Sequence, residues 1–245
     1  MTTSDEPWCP TGGMSVHRAV IDADLTSRYG SGGEIRMIRA VESKPGTTRW
    51  DKSMSGWNAD YAPAPEQLRR QRSRLLALVG QRLRAGWVGW ELARDKWQPV
   101  IPVVLVFDGG VQLELAWDAA DRLSISWNTI DLGTAFTFVG RPHEWRSSHP
   151  HPLAAAAGRV LTGWAVTENP YFTVDVDFTG ELPMDLVAGW SMAGLWIEFG
   201  DVGLHVFSGA DTTYVSDAPE EHYRVTHRQL QEEDAQASGD PTISS

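Results

Sequence analysis

The sequence predicts a β-rich α+β fold: two degenerate units, each a helix followed by an antiparallel meander, packed as a pseudo-twofold sandwich or a continuous sheet. Three observations predict it. The string Arg82-Leu83-Arg84-Ala85-Gly86-Trp87-Val88 returns as Arg159-Val160-Leu161-Thr162-Gly163-Trp164-Ala165. Each string is led by an apolar run of helical character and followed by short alternating segments. Similar elements then close each copy: Phe107 before Leu113-Glu114-Leu115 and Phe199 before Leu204-His205-Val206, then Leu123-Ser124-Ile125-Ser126 against Thr213-Tyr214-Val215-Ser216. A unit this small buries one sheet face only by packing on something, and the other copy is the obvious partner.

Residues 1–65 read as a loosely ordered leader. They hold Gly12-Gly13, Gly30-Ser31-Gly32-Gly33, Pro45-Gly46 and Ala62-Pro63-Ala64-Pro65, with one alternating stretch from Glu34 to Val41. The first unit covers 66–131. Its helix opens at Pro65-Glu66, a pairing suited to a first turn. Leu68, Leu75, Leu76, Val79 and Leu83 share one stripe at helical spacing. Arg69, Arg70, Arg74 and Arg84 lie mostly off it. Arg72 and Arg82 sit on or beside it and need carboxylate partners there. Gly86 and Gly163 are expected to end the two helices with positive φ. Strands are expected at Trp87–Leu92, Val100–Phe107, Gln112–Trp117 and Leu123–Trp127. Asp108-Gly109-Gly110 supplies a hairpin turn.

A Pro-rich connector spans 132–152. The second unit, 153–218, begins with a short helix from Leu153 to Leu161. Strands are expected at Gly163–Thr167, Phe172–Phe178, Leu186–Trp190, Leu195–Phe199, Leu204–Phe207 and Thr213–Val215. Residues 219–245 are expected to be a polar tail, with a charged helix one expectation for Glu220–Glu233 and disorder the expectation for the last dozen residues.

The composition narrows the functional classes. At 245 residues with 42% hydrophobic and 22% charged residues, the chain suits a soluble globular protein. No run of about 18 apolar residues is present, so no membrane span is expected. The start lacks the basic and apolar regions of a secretory signal, and a single cysteine, Cys9, cannot form an internal disulfide. Both point to the cytoplasm. Residues 1–96 carry 15 Lys/Arg against 11 Asp/Glu, while 97–245 carry 6 against 21, within a total charge of −11. Such an acidic body repels phosphate backbones and attracts basic partners.

Four candidate sites follow from residue type and spacing. His143, Glu144, His149 and His151 have the chemistry of zinc ligands, with the three histidines as the metal set, although no established spacing is matched. Gly189-Trp190-Ser191-Met192-Ala193 approaches a nucleophile elbow, but a strand-like run follows where a helix is needed. Asp175 and Asp177 share one side of an expected strand, most simply its wet face. Trp117, Asp118, Asp121, Trp127 and Asp131 put aromatic rings beside carboxylates, a combination suited to a basic protein partner. Among the twelve tryptophans, Trp87 and Trp164 read as matched packing residues of the two copies.

No phosphate-cradling loop, paired cysteines or cofactor motif is present. The leading expectation is a non-catalytic acidic interaction protein that binds a basic protein, in one version an immunity-type protein neutralising a basic toxin. The alternatives are a small-ligand or carbohydrate-binding module using exposed tryptophans, and a metal-dependent hydrolase using the histidines.

Overall fold

The computed structural model describes residues 54, 56–118, 121–147, 149–172, 184–209, 212–219 and 223–226. By its contacts the chain falls into two units, 1–46 and 47–245, and every described residue belongs to the second. Most of the leader, Asp175 and Asp177, most of the expected Phe172–Phe178 strand and the tail beyond residue 226 lie outside the described residues.

The described part is β-rich, with two antiparallel sheets and two short α-helices. The order along the chain is β1 (Tyr61–Pro63), α1 (Ala64–Leu76), β2 (Leu83–Glu91), β3 (Lys96–Trp97), β4 (Val103–Phe107), β5 (Gln112–Asp118), β6 (Arg122–Trp127), β7 (Phe136–Phe138), β8 (Arg141–Ser147), α2 (His151–Ala156), β9 (Gly163–Phe172), β10 (Val187–Phe199), β11 (Val202–Ser208), β12 (Thr213–Ser216) and β13 (Arg224–Thr226). The first sheet runs β1-β6-β5-β4-β2-β8-β7, with β3 added on β2; the second runs β12-β11-β10-β9-β13. Each helix therefore precedes four strands in meander order: β2-β4-β5-β6 after α1, and β9-β10-β11-β12 after α2.

Alternation along the strands explains two cores. Val103, Leu105, Leu113, Leu115, Trp117, Leu123, Ile125 and Trp127 enter one cluster. The same cluster takes Leu68 and Leu75 of α1, Leu153 of α2, and Trp164, Leu195, Ile197, Leu204 and Val206 of the second sheet. The intervening residues of the first sheet, Val104 and Ala116 among them, point the other way. There they meet Met54, Trp57, Ile101, Ile130, Phe138 and Trp145. The first sheet is thus covered on both faces, with buried Glu114, Ser124 and Ser126 among the apolar residues of the outer one.

Several expectations change. Helix α1 stops at Leu76. The chain then tightens through short turns to Gly80, at φ +90°, and Leu83 opens a strand instead of ending a helix. Val79, expected in the apolar stripe, is 42% exposed. Gly86 is not a helix cap. It lies inside β2, and a Cβ there would stand 2.7 Å from Leu153 Cδ2. Gly163 opens β9, where a Cβ would meet Glu198 Oε2 at 2.5 Å. Residues 57–63 pack on the first sheet instead of trailing loosely: Trp57 Nε1 donates to Ser126 Oγ at 3.2 Å and Asp60 N to Ser124 Oγ at 2.9 Å. The 132–152 segment is no free connector. Its β7–β8 hairpin completes the first sheet, with β8 paired to β2 from Trp87↔Ser147 to Glu91↔His143.

Between the helices and their meanders, the two chain segments pair with each other. Gly80 N donates to Leu161 O at 2.8 Å and Gly158 N to Leu83 O at 2.7 Å. Leu161 N donates to Gln81 O and Leu83 N to Arg159 O, both at 2.8 Å. Gly80 and Gly158 both have positive φ, and Leu83 and Leu161 are both fully buried. This correspondence lies one residue away from the string match of the sequence. A one-residue slip exchanges faces in a strand. Accordingly Trp87 packs with the outer cluster while Trp164 enters the main core, its Nε1 donating to Leu75 O at 3.1 Å.

Candidate interaction surface

Several polar residues are buried and belong to the fold. Glu114 lies on the outer face of β5 and is 1% exposed. Its Oε1 accepts from Thr129 N (2.6 Å), Ile130 N (2.8 Å) and Gln112 Nε2 (2.8 Å). Its Oε2 accepts from Ser126 Oγ and Thr129 Oγ1, both at 2.5 Å. Five donors on one carboxylate identify a structural clamp on the loop after β6. His205, fully buried on β11, stacks on Phe207 at 4.4 Å between centroids and lies 2.7 Å from Thr167 Oγ1 through Nε2. Burial holds its pKa down at about 3.

The aromatic members of the expected partner patch prove to be core residues. Trp117 is 3% exposed, and Trp127 is 9% exposed with its Nε1 donating to Gln71 Oε1. Both alternate inward, and the distance between two carboxylates in sequence carries no information about that. Asp118 is half-buried and pairs with Arg122 across the β5–β6 turn at 3.1 Å. Asp121 and Asp131 are exposed, at opposite ends of β6. Asp131 spends its oxygens locally on Thr134 Oγ1 (2.6 Å) and Gly133 N (3.0 Å), bonds that hold its carboxyl below the usual range. The five residues do not form one surface.

The expected metal set is likewise dispersed. His143 is fully buried on β8 against Phe136 and Phe138, whereas His149 and His151 are exposed. Among the described residues no group of three or more His, Cys, Asp or Glu side chains is placed to hold a metal ion. Ser191 lies within β10, with strand on both sides and no helix after it.

A different cluster lies partly exposed at the edge of the main core, against which Trp90 packs. Trp90 of β2 is half-buried. The Arg146 guanidinium lies 4.7 Å above its ring and the His149 ring 5.5 Å from it. Trp90 Nε1 donates to Asp95 Oδ1 at 2.9 Å. Arg146 reaches the same Asp95 oxygen at 2.9 Å and Glu144 Oε1 at 2.6 Å. Asp95 sits at φ +48° in the β2–β3 turn and its side chain is 78% exposed. The Trp90 indole and then Arg146 hold its carboxyl below the ordinary range; the Glu144 and Asp95 carboxylates raise Arg146 above its own. Register decides the grouping: Trp90 faces Glu144, and Val88 faces Arg146, across β2–β8. Glu144 and His149, candidate metal ligands by residue type, lie here beside Arg146. The signal available was Glu144-x-Arg146, two charges at strand spacing on one face. A related stack occurs in the second sheet, where Arg224 lies 4.7 Å over Trp190 and donates to Glu168 Oε2 at 2.7 Å.

A cleft lined by Met54, Ile130, Asp131, Thr134, Phe136 and Trp145 has a cavity volume of about 10 Å³, the space of roughly one water. No helix among the described residues is long and apolar enough to cross a membrane. Compared with known protein families, curated proteins and solved structures, the chain matches none.

Proposed function

We propose that this chain is a non-catalytic interaction protein that binds a basic protein, and that the Trp90–Arg146 cluster is where it does so. The observation that carries the reading is the stack itself. A half-exposed indole and guanidinium are held by three hydrogen bonds before any partner arrives. Trp and Arg dominate the energetics of protein interfaces, and ordering them in advance lowers the entropy cost of binding. Asp95 and Glu144 put two carboxylates beside the stack, and the net charge of −11 extends the attraction to a basic partner. An immunity-type protein that neutralises a basic toxin is one form this function takes. The test is capture from lysate by tagged wild-type chain and by an Arg146→Ala variant. A basic partner released by salt, and lost from the variant, is the expected result. Equal capture of the same partner by both would overturn the assignment of the surface.

A second reading is a small-ligand or carbohydrate module. Half-exposed Trp90, Trp97, Trp190 and Trp196 favour it, since aromatic faces stack on sugar rings. Titration of an oligosaccharide panel against tryptophan fluorescence tests it; saturable quenching supports it and a flat response removes it.

We also propose that the two helix-plus-meander segments are copies of one unit related by a pseudo-twofold axis through the 80–83/158–161 ladder. The positive φ shared by Gly80 and Gly158 and the full burial shared by Leu83 and Leu161 support this; the reciprocal hydrogen bonds between them are those of any antiparallel pairing.

A further inference from the structure

We propose that Glu91 and His143 hold one buried water between them, and that this water clasps the β7–β8 hairpin to β2. The two residues face each other in the β2–β8 register, so their side chains are neighbours on the same face. Both residues are fully buried. Glu91 Oε1 is occupied by Arg141 at 2.9 Å and Arg94 at 3.5 Å. His143 Nδ1 lies 2.9 Å from Arg141 O. A carbonyl only accepts, so Nδ1 carries a proton. The remaining atoms, Glu91 Oε2 and His143 Nε2, are buried and have no hydrogen-bond partner among the described residues. In the Nδ1–H tautomer both are acceptors, which explains why they do not bond each other. One molecule with two protons satisfies both, and a buried water does this routinely. A divalent metal could also take these two atoms. Two protein ligands are too few for a structural site, and the arginines beside Glu91 oppose a second cation there.

A crystal structure at about 1.5 Å resolution tests this directly. The expected result is a density peak about 2.6–3.1 Å from both atoms. A peak about 2.0–2.2 Å away, as for zinc, or a direct Glu91–His143 bond would overturn it. In solution, a double-mutant cycle with Glu91→Leu and His143→Phe reads the coupling. We expect about fivefold or more in the unfolding equilibrium constant. Additive effects would overturn the shared water, whatever each single variant costs.

Discussion

Truncating Glu114 tests how the outer face of the first sheet is held. In Glu114→Ala the amides of Thr129 and Ile130 lose their acceptor, and so do the hydroxyls of Ser126 and Thr129. The hydroxyls can rotate, and Gln112 can turn to solvent. The two amides cannot move. A buried donor left unpaired costs about 1–3 kcal/mol. Ile130 is 7% exposed and Thr129 half-buried, so the pair together with lost packing should cost roughly 3–5 kcal/mol. Glu114→Gln behaves differently. Its amide oxygen can replace Oε1 for both backbone donors, while its NH₂ faces two hydroxyls that can turn to accept. Losing only the charge should cost about 1–2 kcal/mol. Urea unfolding followed by tryptophan fluorescence separates the two. With a slope near 2–3 kcal/mol/M, the alanine midpoint should fall by roughly 1–2.5 M and the glutamine midpoint by roughly 0.3–1 M. If both variants unfold within about 0.5 kcal/mol of the parent, the clamp has no structural role and the reasoning fails.

Other predictions concern the core and its titration. Gly86→Ala places a methyl against Leu153 and should cost about 1–3 kcal/mol by overpacking, with Leu153→Ala less costly in that background than alone. Gly163→Ala meets only the end of the Glu198 side chain; a thermal melt should show it nearly neutral. His205 is held unprotonated, with a folded pKa of about 3 against 6.5 for an ordinary histidine. Below pH 6.5 the unfolded chain binds a proton there that the folded chain refuses, so stability is full above that pH and falls as pH drops towards 3. The part of the acid dependence due to this residue should vanish in His205→Gln; an unchanged pH–stability slope between 6.5 and 4 would contradict the assignment. Gly203→Ala drives a methyl to within 1.8 Å of the Trp196 ring and should shift tryptophan emission along with the melting midpoint; an unaltered spectrum would mean Trp196 does not cover that glycine.

The sequence disclosed the β-rich class and most strand positions because alternation and turn chemistry are local. Asp108-Gly109-Gly110 turns the chain between β4 and β5 as expected, with both glycines at positive φ. It was less informative where long-range pairing decides. Nothing local distinguishes Pro142-His143-Glu144-Trp145 as a central strand from a Pro-rich linker; β8 exists because β2 offers it an edge. Leu83 continues a helical stripe on paper, yet its amide binds Arg159 O across the molecule. The candidate surface was half legible. Glu144 and His149 stand out by residue type, but their pairing with Arg146 and Trp90 follows from register, and Asp95 joins them through a turn at positive φ. Trp117 and Trp127 show the opposite limit: composition reports how many rings there are, not which side of a strand they take.

The interaction reading is tested most directly by the association rate of the captured partner, measured at low and at physiological salt. Wild-type chain is compared with an Asp95→Asn/Glu144→Gln variant. Asparagine tolerates the left-handed backbone at position 95, so the variant removes charge with little strain. The account predicts an association rate about tenfold slower for the variant at low salt, with the difference shrinking as salt rises. Equal rates at low salt would contradict it and leave the Trp90–Arg146 cluster a structural feature alone.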